Sequence, residues 1–107
     1  MSAPSDAPRA FFDERVETLD PEALRAHQWA RLQALVREVL PANAFVTARW
    51  RSAGLAEPAD LRGWDDFARL PFASKSELVD DQVGRPPFGS NLTYPMDRYV
   101  RVHQTSG

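Results

Sequence analysis

The sequence predicts a mainly α-helical subdomain that ends in a single β-strand. Three observations carry this. An apolar face repeats at three- and four-residue steps between Asp20-Pro21 and Leu40-Pro41. Ser74-Lys75-Ser76-Glu77 has the spacing of a capping box and so opens a helix. Tyr99-Val100-Arg101-Val102 alternates in character, as a strand does, and runs into Gln104-Thr105-Ser106-Gly107.

In chain order, residues 1–18 read as a disordered tail, rich in Ser, Ala, Pro and Asp at its start. Residues 19–83 read as the helical subdomain. Asp20 is a good N-cap, Pro21 suits a first helical position where no hydrogen bond is lost, and Glu22 complements the helix dipole. Leu24, Gln28, Leu32, Leu35, Val36 and Val39 form the inner face, with Arg25, Arg31, Arg37 and Glu38 mostly opposite. Pro41 ends the helix, because the residue before a proline avoids the helical region. Asn43 caps a second helix carrying Phe45, Val46, Ala48, Trp50 and Ala53. Gly54 falls just past its end, where left-handed geometry is common. The short link makes the two helices an expected antiparallel hairpin.

Residues 56–61 are a loop. Trp64, Phe67 and Leu70 form a short helical patch closed by Pro71, and Ser74 opens a last helix to about Gln82 with Leu78 and Val79 buried. Residues 84–97 read as an extended loop, since Pro86, Pro87 and Pro95 interrupt any regular pattern. Residues 98–107 read as a first strand feeding a small-residue turn, where backbone N–H groups and hydroxyls can face an anion. A lone strand leaves both edges unpaired, and the turn has only begun when the chain stops. Both features lead us to expect a truncated chain.

Composition narrows the function. The 13 basic and 15 acidic residues among 107 give a formal charge of −2, so no basic footprint for nucleic acid exists. Cysteine is absent, which removes disulfides and thiolate metal sites. His27 and His103 are too far apart in sequence for a local metal motif. No apolar run reaches the roughly 20 residues of a membrane span. The start lacks the basic and then apolar segments of a secretory signal. The expectation is a soluble cytoplasmic protein that binds neither nucleic acid nor membrane.

Leu70-Pro71-Phe72-Ala73-Ser74-Lys75-Ser76-Glu77-Leu78, then Pro86-Pro87-Phe88-Gly89, then Arg101-Val102-His103-Gln104-Thr105-Ser106-Gly107 resembles the N-terminal part of the phenylacetate-CoA ligase-like family of adenylate-forming (AMP-binding) enzymes. Asn43-Ala44-Phe45 and Gly54 also sit where that family often has related residues. The likeness runs from about Leu19 to Gly107. Val46 stands where the family usually has tyrosine, and Ala73 where threonine is common. The continuation of the family's phosphate loop, Thr-Thr-Gly-x-Pro, is missing.

The resemblance implies an α/β parent enzyme that activates a carboxylic acid with ATP and transfers the acyl group to coenzyme A. An aryl acid such as phenylacetate is the expected substrate, and Mg²⁺ a further cofactor. Acids of other kinds, or another acceptor thiol, stay open, because those sites lie mostly downstream. The resemblance also implies that Thr105, Ser106 and Gly107 open the ATP phosphate loop, and that this chain alone contains no catalytic residue and is inactive.

Lys75 and His103 are candidates for contacts to phosphate or to the acyl site. Lys75 occupies a first helical position, where a cation opposes the dipole at a cost of roughly 0.3–1 kcal/mol. A visiting anion would account for that choice; a solvated surface lysine is the plainer alternative. For His103 the alternative is an ordinary hydrogen-bonded edge residue. Trp29, Trp50 and Trp64 read as packing residues, and Asp65-Asp66 and Asp80-Asp81 as solvated faces. Arg98 and Arg101 are further candidates to meet phosphates, with surface ion pairs the commoner role for such residues. A stand-alone helical interaction module without enzymatic activity is the rival function.

Overall fold

The computed structural model describes residues 9–105. Among them are five α-helices: α1 (Glu14–Glu17), α2 (Pro21–Val39), α3 (Ala44–Ser52), α4 (Trp64–Ala68) and α5 (Lys75–Gly84). Two 3₁₀ turns, Pro58–Asp60 and Met96–Arg98, complete the regular structure. The residues divide into two compact units, one up to Arg31 and one from Leu32 onward.

In the first unit, α1 forms a single turn within the stretch expected as a tail. Its N-cap is Asp13, whose carboxylate accepts from the Val16 N–H at 3.4 Å. The α2 start follows the sequence: Asp20 Oδ1 accepts the Ala23 N–H at 2.8 Å. This bond satisfies one of the N–H groups that a helix start leaves without a partner.

The second unit has a small core of Val36, Leu40, Leu55 and Leu61. Asn43 and Thr47 are buried with them. The helix face is only partly covered: Val36 is buried, while Leu35 is 55% exposed. The α3 helix ends as expected, with Gly54 at φ 91° and its N–H donating to the Arg51 carbonyl at 3.1 Å. The α5 helix extends to Gly84, two residues beyond the expected end.

Two expectations need correction. Val79 is exposed, and only its neighbour Leu78 is half-buried. Successive helical side chains point about 100° apart, and here the packed side of α5 takes Leu78 and leaves Val79 beyond its edge. The expected first strand over 98–107 is not formed among the described residues. Met96–Arg98 is a 3₁₀ turn, and the chain from Tyr99 to Thr105 is irregular and exposed. The alternation remains in the sequence, but a strand requires a neighbour to pair its N–H and C=O groups, and none is present here.

Candidate functional site

The α5 start carries the first candidate residue. Ser74 is extended, at φ −89° and ψ 159°, and its hydroxyl accepts the Glu77 N–H at 3.2 Å. Lys75 is therefore the first helical residue; its side chain is exposed, and no carboxylate pairs with it among the described residues. Half of the expected capping box is made. Glu77 does not return to the Ser74 N–H; its carboxylate pairs instead with Arg49 of α3. The same guanidinium donates to the Phe72 carbonyl and lies 5.4 Å from the centre of the Phe45 ring. One arginine thus bonds the backbone carbonyl of Phe72 before Lys75 and the side chain of Glu77 after it.

The irregular segment after α5 is fastened at several points. Asp81 Oδ1 accepts the Ser90 hydroxyl at 2.6 Å and Oδ2 the Ser90 N–H at 2.7 Å. These donors, with the nearby positive charge of Arg85, hold the Asp81 carboxyl below its ordinary value, although desolvation opposes them. Asn43 Nδ2 donates to Asn91 Oδ1 at 2.9 Å and Thr93 Oγ1 at 3.2 Å, while its own Oδ1 caps α3 through the Val46 N–H at 3.0 Å. The Tyr99 hydroxyl accepts the N–H groups of Thr93 and Tyr94 at 2.9 and 3.2 Å. Tyr94 in turn donates its hydroxyl to Glu38 Oε2 at 2.9 Å, and this bond raises the Tyr94 pKa. Polar side chains from α2, the α3 cap and α5 therefore fix the path that leads to His103 and Thr105.

His103 and Thr105 are exposed, while Ser106 and Gly107 lie outside the described residues. No hydrogen bond or ion pair joins Lys75, His103 and Thr105 among the described residues. Arg98 lies over the Tyr94 ring at 4.5 Å. A cavity of about 880 Å³ is lined by Gln33, Arg37, Arg51, Glu57 and neighbouring residues, and none of the expected site residues reaches it.

Sequence reading missed Arg49, Asp81 and Ser90. Of the two aspartate pairs read as solvated faces, Asp65 and Asp80 are exposed, whereas the reading is corrected for their neighbours: Asp81 holds Ser90, and Asp66 accepts the N–H groups of Arg62 and Gly63 at 2.8 and 3.2 Å. No local signal in the sequence singles out Asp66 from Asp65 or Asp81 from Asp80. Among the described residues no group of three His, Cys, Asp or Glu could hold a metal ion, so the Mg²⁺ that the resemblance implies has no ligand set here. No helix among them is long and apolar enough to cross a membrane.

No family model matches the chain. It is 34% identical over 107 residues to a phenylacetate-coenzyme A ligase of Pseudomonas putida, covering 100% of this chain and 23% of that protein. It is 36% identical over 97 residues to a phenylacetate-coenzyme A ligase of Thermus thermophilus, covering 91% of this chain and 20% of that protein. The crystal structure of a 2-hydroxyisobutyryl-CoA ligase in the postadenylation state, in complex with 2-HIB-AMP, superposes with a TM-score of 0.82 at 28% identity. That match covers 99% of this chain and 22% of the ligase. The same ligase in its thioesterification state, with 2-HIB-AMP and CoA, gives a TM-score of 0.82 at 30% identity over 100% of this chain and 22% of its own. The chain thus spans about a fifth of the length of the relatives it matches.

Proposed function

We propose that this chain, homologous along its length to phenylacetate-CoA ligases, is the N-terminal subdomain of a cytoplasmic ATP-dependent acid–CoA ligase. The observation that carries the reading is the extent of the likeness. It covers all or nearly all of the chain in both sequence and shape, with no stretch of foreign fold. Exposure gives further support. Phe72 and Val100 are 97% and 96% exposed, which suits surfaces that more polypeptide covers.

In such an enzyme a carboxylate oxygen of the acid attacks the ATP α-phosphate. The new P–O bond forms as pyrophosphate leaves, giving an acyl-adenylate. The CoA thiolate then attacks the acyl carbonyl, a C–S bond forms, and AMP leaves. We assign Thr105, Ser106 and Gly107 to the start of the loop whose N–H groups and hydroxyls meet the ATP phosphates. Lys75 supplies a positive charge to the same phosphates from the exposed start of α5. His103 borders that loop or the acyl group. The acid is an aryl acid such as phenylacetate. Mg²⁺, when bound, neutralises phosphate charge, and its ligands come from outside the described residues. The 107-residue chain alone is inactive, because it holds only the opening of the phosphate loop.

The test is adenylation of phenylacetate by the ligase polypeptide that carries this segment, followed as acid-dependent pyrophosphate release. Lys75→Ala is expected to lower kcat/KM for ATP about tenfold to a hundredfold, the loss of one hydrogen bond to a charged group. Unchanged ATP kinetics would remove Lys75 from the phosphate site, and turnover by the 107-residue chain alone would overturn its assignment as an inactive part.

A further inference from the structure

We infer that Arg49 is a positioning residue that sets the Lys75 ammonium for phosphate. This rests on the assignment of Lys75 above. The geometry is a bracket. The Arg49 guanidinium donates to the Phe72 carbonyl, three residues before Lys75, and to the Glu77 carboxylate, two residues after it. Between these anchors the chain changes from extended at Ser74 to helical at Lys75. A lysine side chain leaves in a direction set by its own backbone, so a tethered carbonyl before it and a tethered side chain after it set the point from which its flexible stem reaches out.

The bracket requires an arginine. A planar fork presents several N–H donors to two separate acceptors at once, whereas an ammonium is a compact point charge on a flexible stem. Arg49 is itself restrained: its side chain is 24% exposed and lies against the Phe45 ring. Phe45 follows the Asn43 cap by two residues, so the ring that backs the arginine belongs to the capped first turn of α3. The pairing also occupies the Glu77 carboxylate. The structure has Glu77 on Arg49 and Lys75 without a carboxylate partner among the described residues.

A double-mutant cycle in the ligase polypeptide tests this. Arg49→Lys, Lys75→Ala and the double variant are compared for KM and kcat with ATP, for KM with the acid, and for thermal stability. Arg49→Lys is expected to lower kcat/KM for ATP about tenfold, a misplacement effect, with the KM for the acid unchanged. On the Lys75→Ala background the same substitution should cost nothing further. An equal loss on both backgrounds, or normal ATP kinetics for Arg49→Lys beside an impaired Lys75→Ala, overturns the inference and leaves the Lys75 reading standing. Normal kinetics for Lys75→Ala overturns that reading, and the inference with it. If Arg49→Lys does not fold, Glu77→Gln weakens the bracket from the other side. It should give a smaller ATP-selective loss that vanishes in Lys75→Ala, and persistence of the loss there overturns the inference.

Discussion

The Asp81 carboxylate grips Ser90 with both oxygens, one on the hydroxyl at 2.6 Å and one on the backbone N–H at 2.7 Å. The peptide carbonyl of Ser90 in turn accepts the Phe45 N–H at 3.4 Å. Ser90 thus joins α5 to the beginning of α3. An irregular segment holds its course here through side-chain bonds in place of a backbone ladder.

Acid should loosen this latch. The Ser90 donors, followed by the Arg85 charge, hold the Asp81 carboxyl below its ordinary 3.8; backbone N–H bonds, led by that of Arg62, do the same for Asp66. A carboxylate whose pKa is lowered on folding adds stability above its unfolded value. That stability is lost as pH falls through the folded value. Urea midpoints should therefore be level above about pH 5 and decline below 3.8. Asp81→Asn should flatten part of this acid limb. An identical limb in that variant would exclude Asp81 as a source of the pH dependence.

Gly89 should tolerate substitution less well than Gly54. Both have positive φ, 73° and 91°. A Cβ on Gly54 meets nothing within 4 Å, whereas one on Gly89 would run into the Asp81 carboxylate. Gly54→Ala is expected to cost about 1–2 kcal/mol, the strain of left-handed backbone alone. Gly89→Ala adds displacement of the latch and should cost more. Chemical denaturation of the two variants gives the comparison, and equal costs would show that Asp81 moves aside freely.

Asn43 serves two elements, and two substitutions separate them. Asn43→Ala removes the α3 cap, worth about 0.5–2 kcal/mol, together with the bonds to Asn91 and Thr93. Asn43→Asp keeps an acceptor for the Val46 N–H but places an anion against Asn91 Oδ1, with no donor to offer. Amide exchange should then remain protected at Val46 and rise in the segment from Asn91 to Tyr94. Exchange unchanged in that segment would mean that Asn43 does not hold it.

Much of the helical framework was legible in the sequence because its signals are local. Asp20, Asn43 and Ser74 each bond an N–H three residues ahead, and Gly54 takes the positive φ that its position invites. The resemblance was legible too, since it rests on the order of short motifs such as Leu70 to Leu78. The missed residues depend on distant partners. Nothing near Arg49 in sequence points to Phe72 or Glu77, and the Asp80-Asp81 pair does not show which member will hold Ser90.

The sequence by itself determined where α2, α3 and α5 start and where α2 and α3 stop, because caps, prolines and apolar spacing act within a few residues. Only the tertiary structure decided that Glu77 leaves its own helix start for Arg49, that Asp81, Asn43 and Tyr99 fasten the segment after α5, and that Tyr99–Thr105 stays unpaired despite its alternation. Long polar side chains choose partners by proximity in space, and a strand exists only beside another strand.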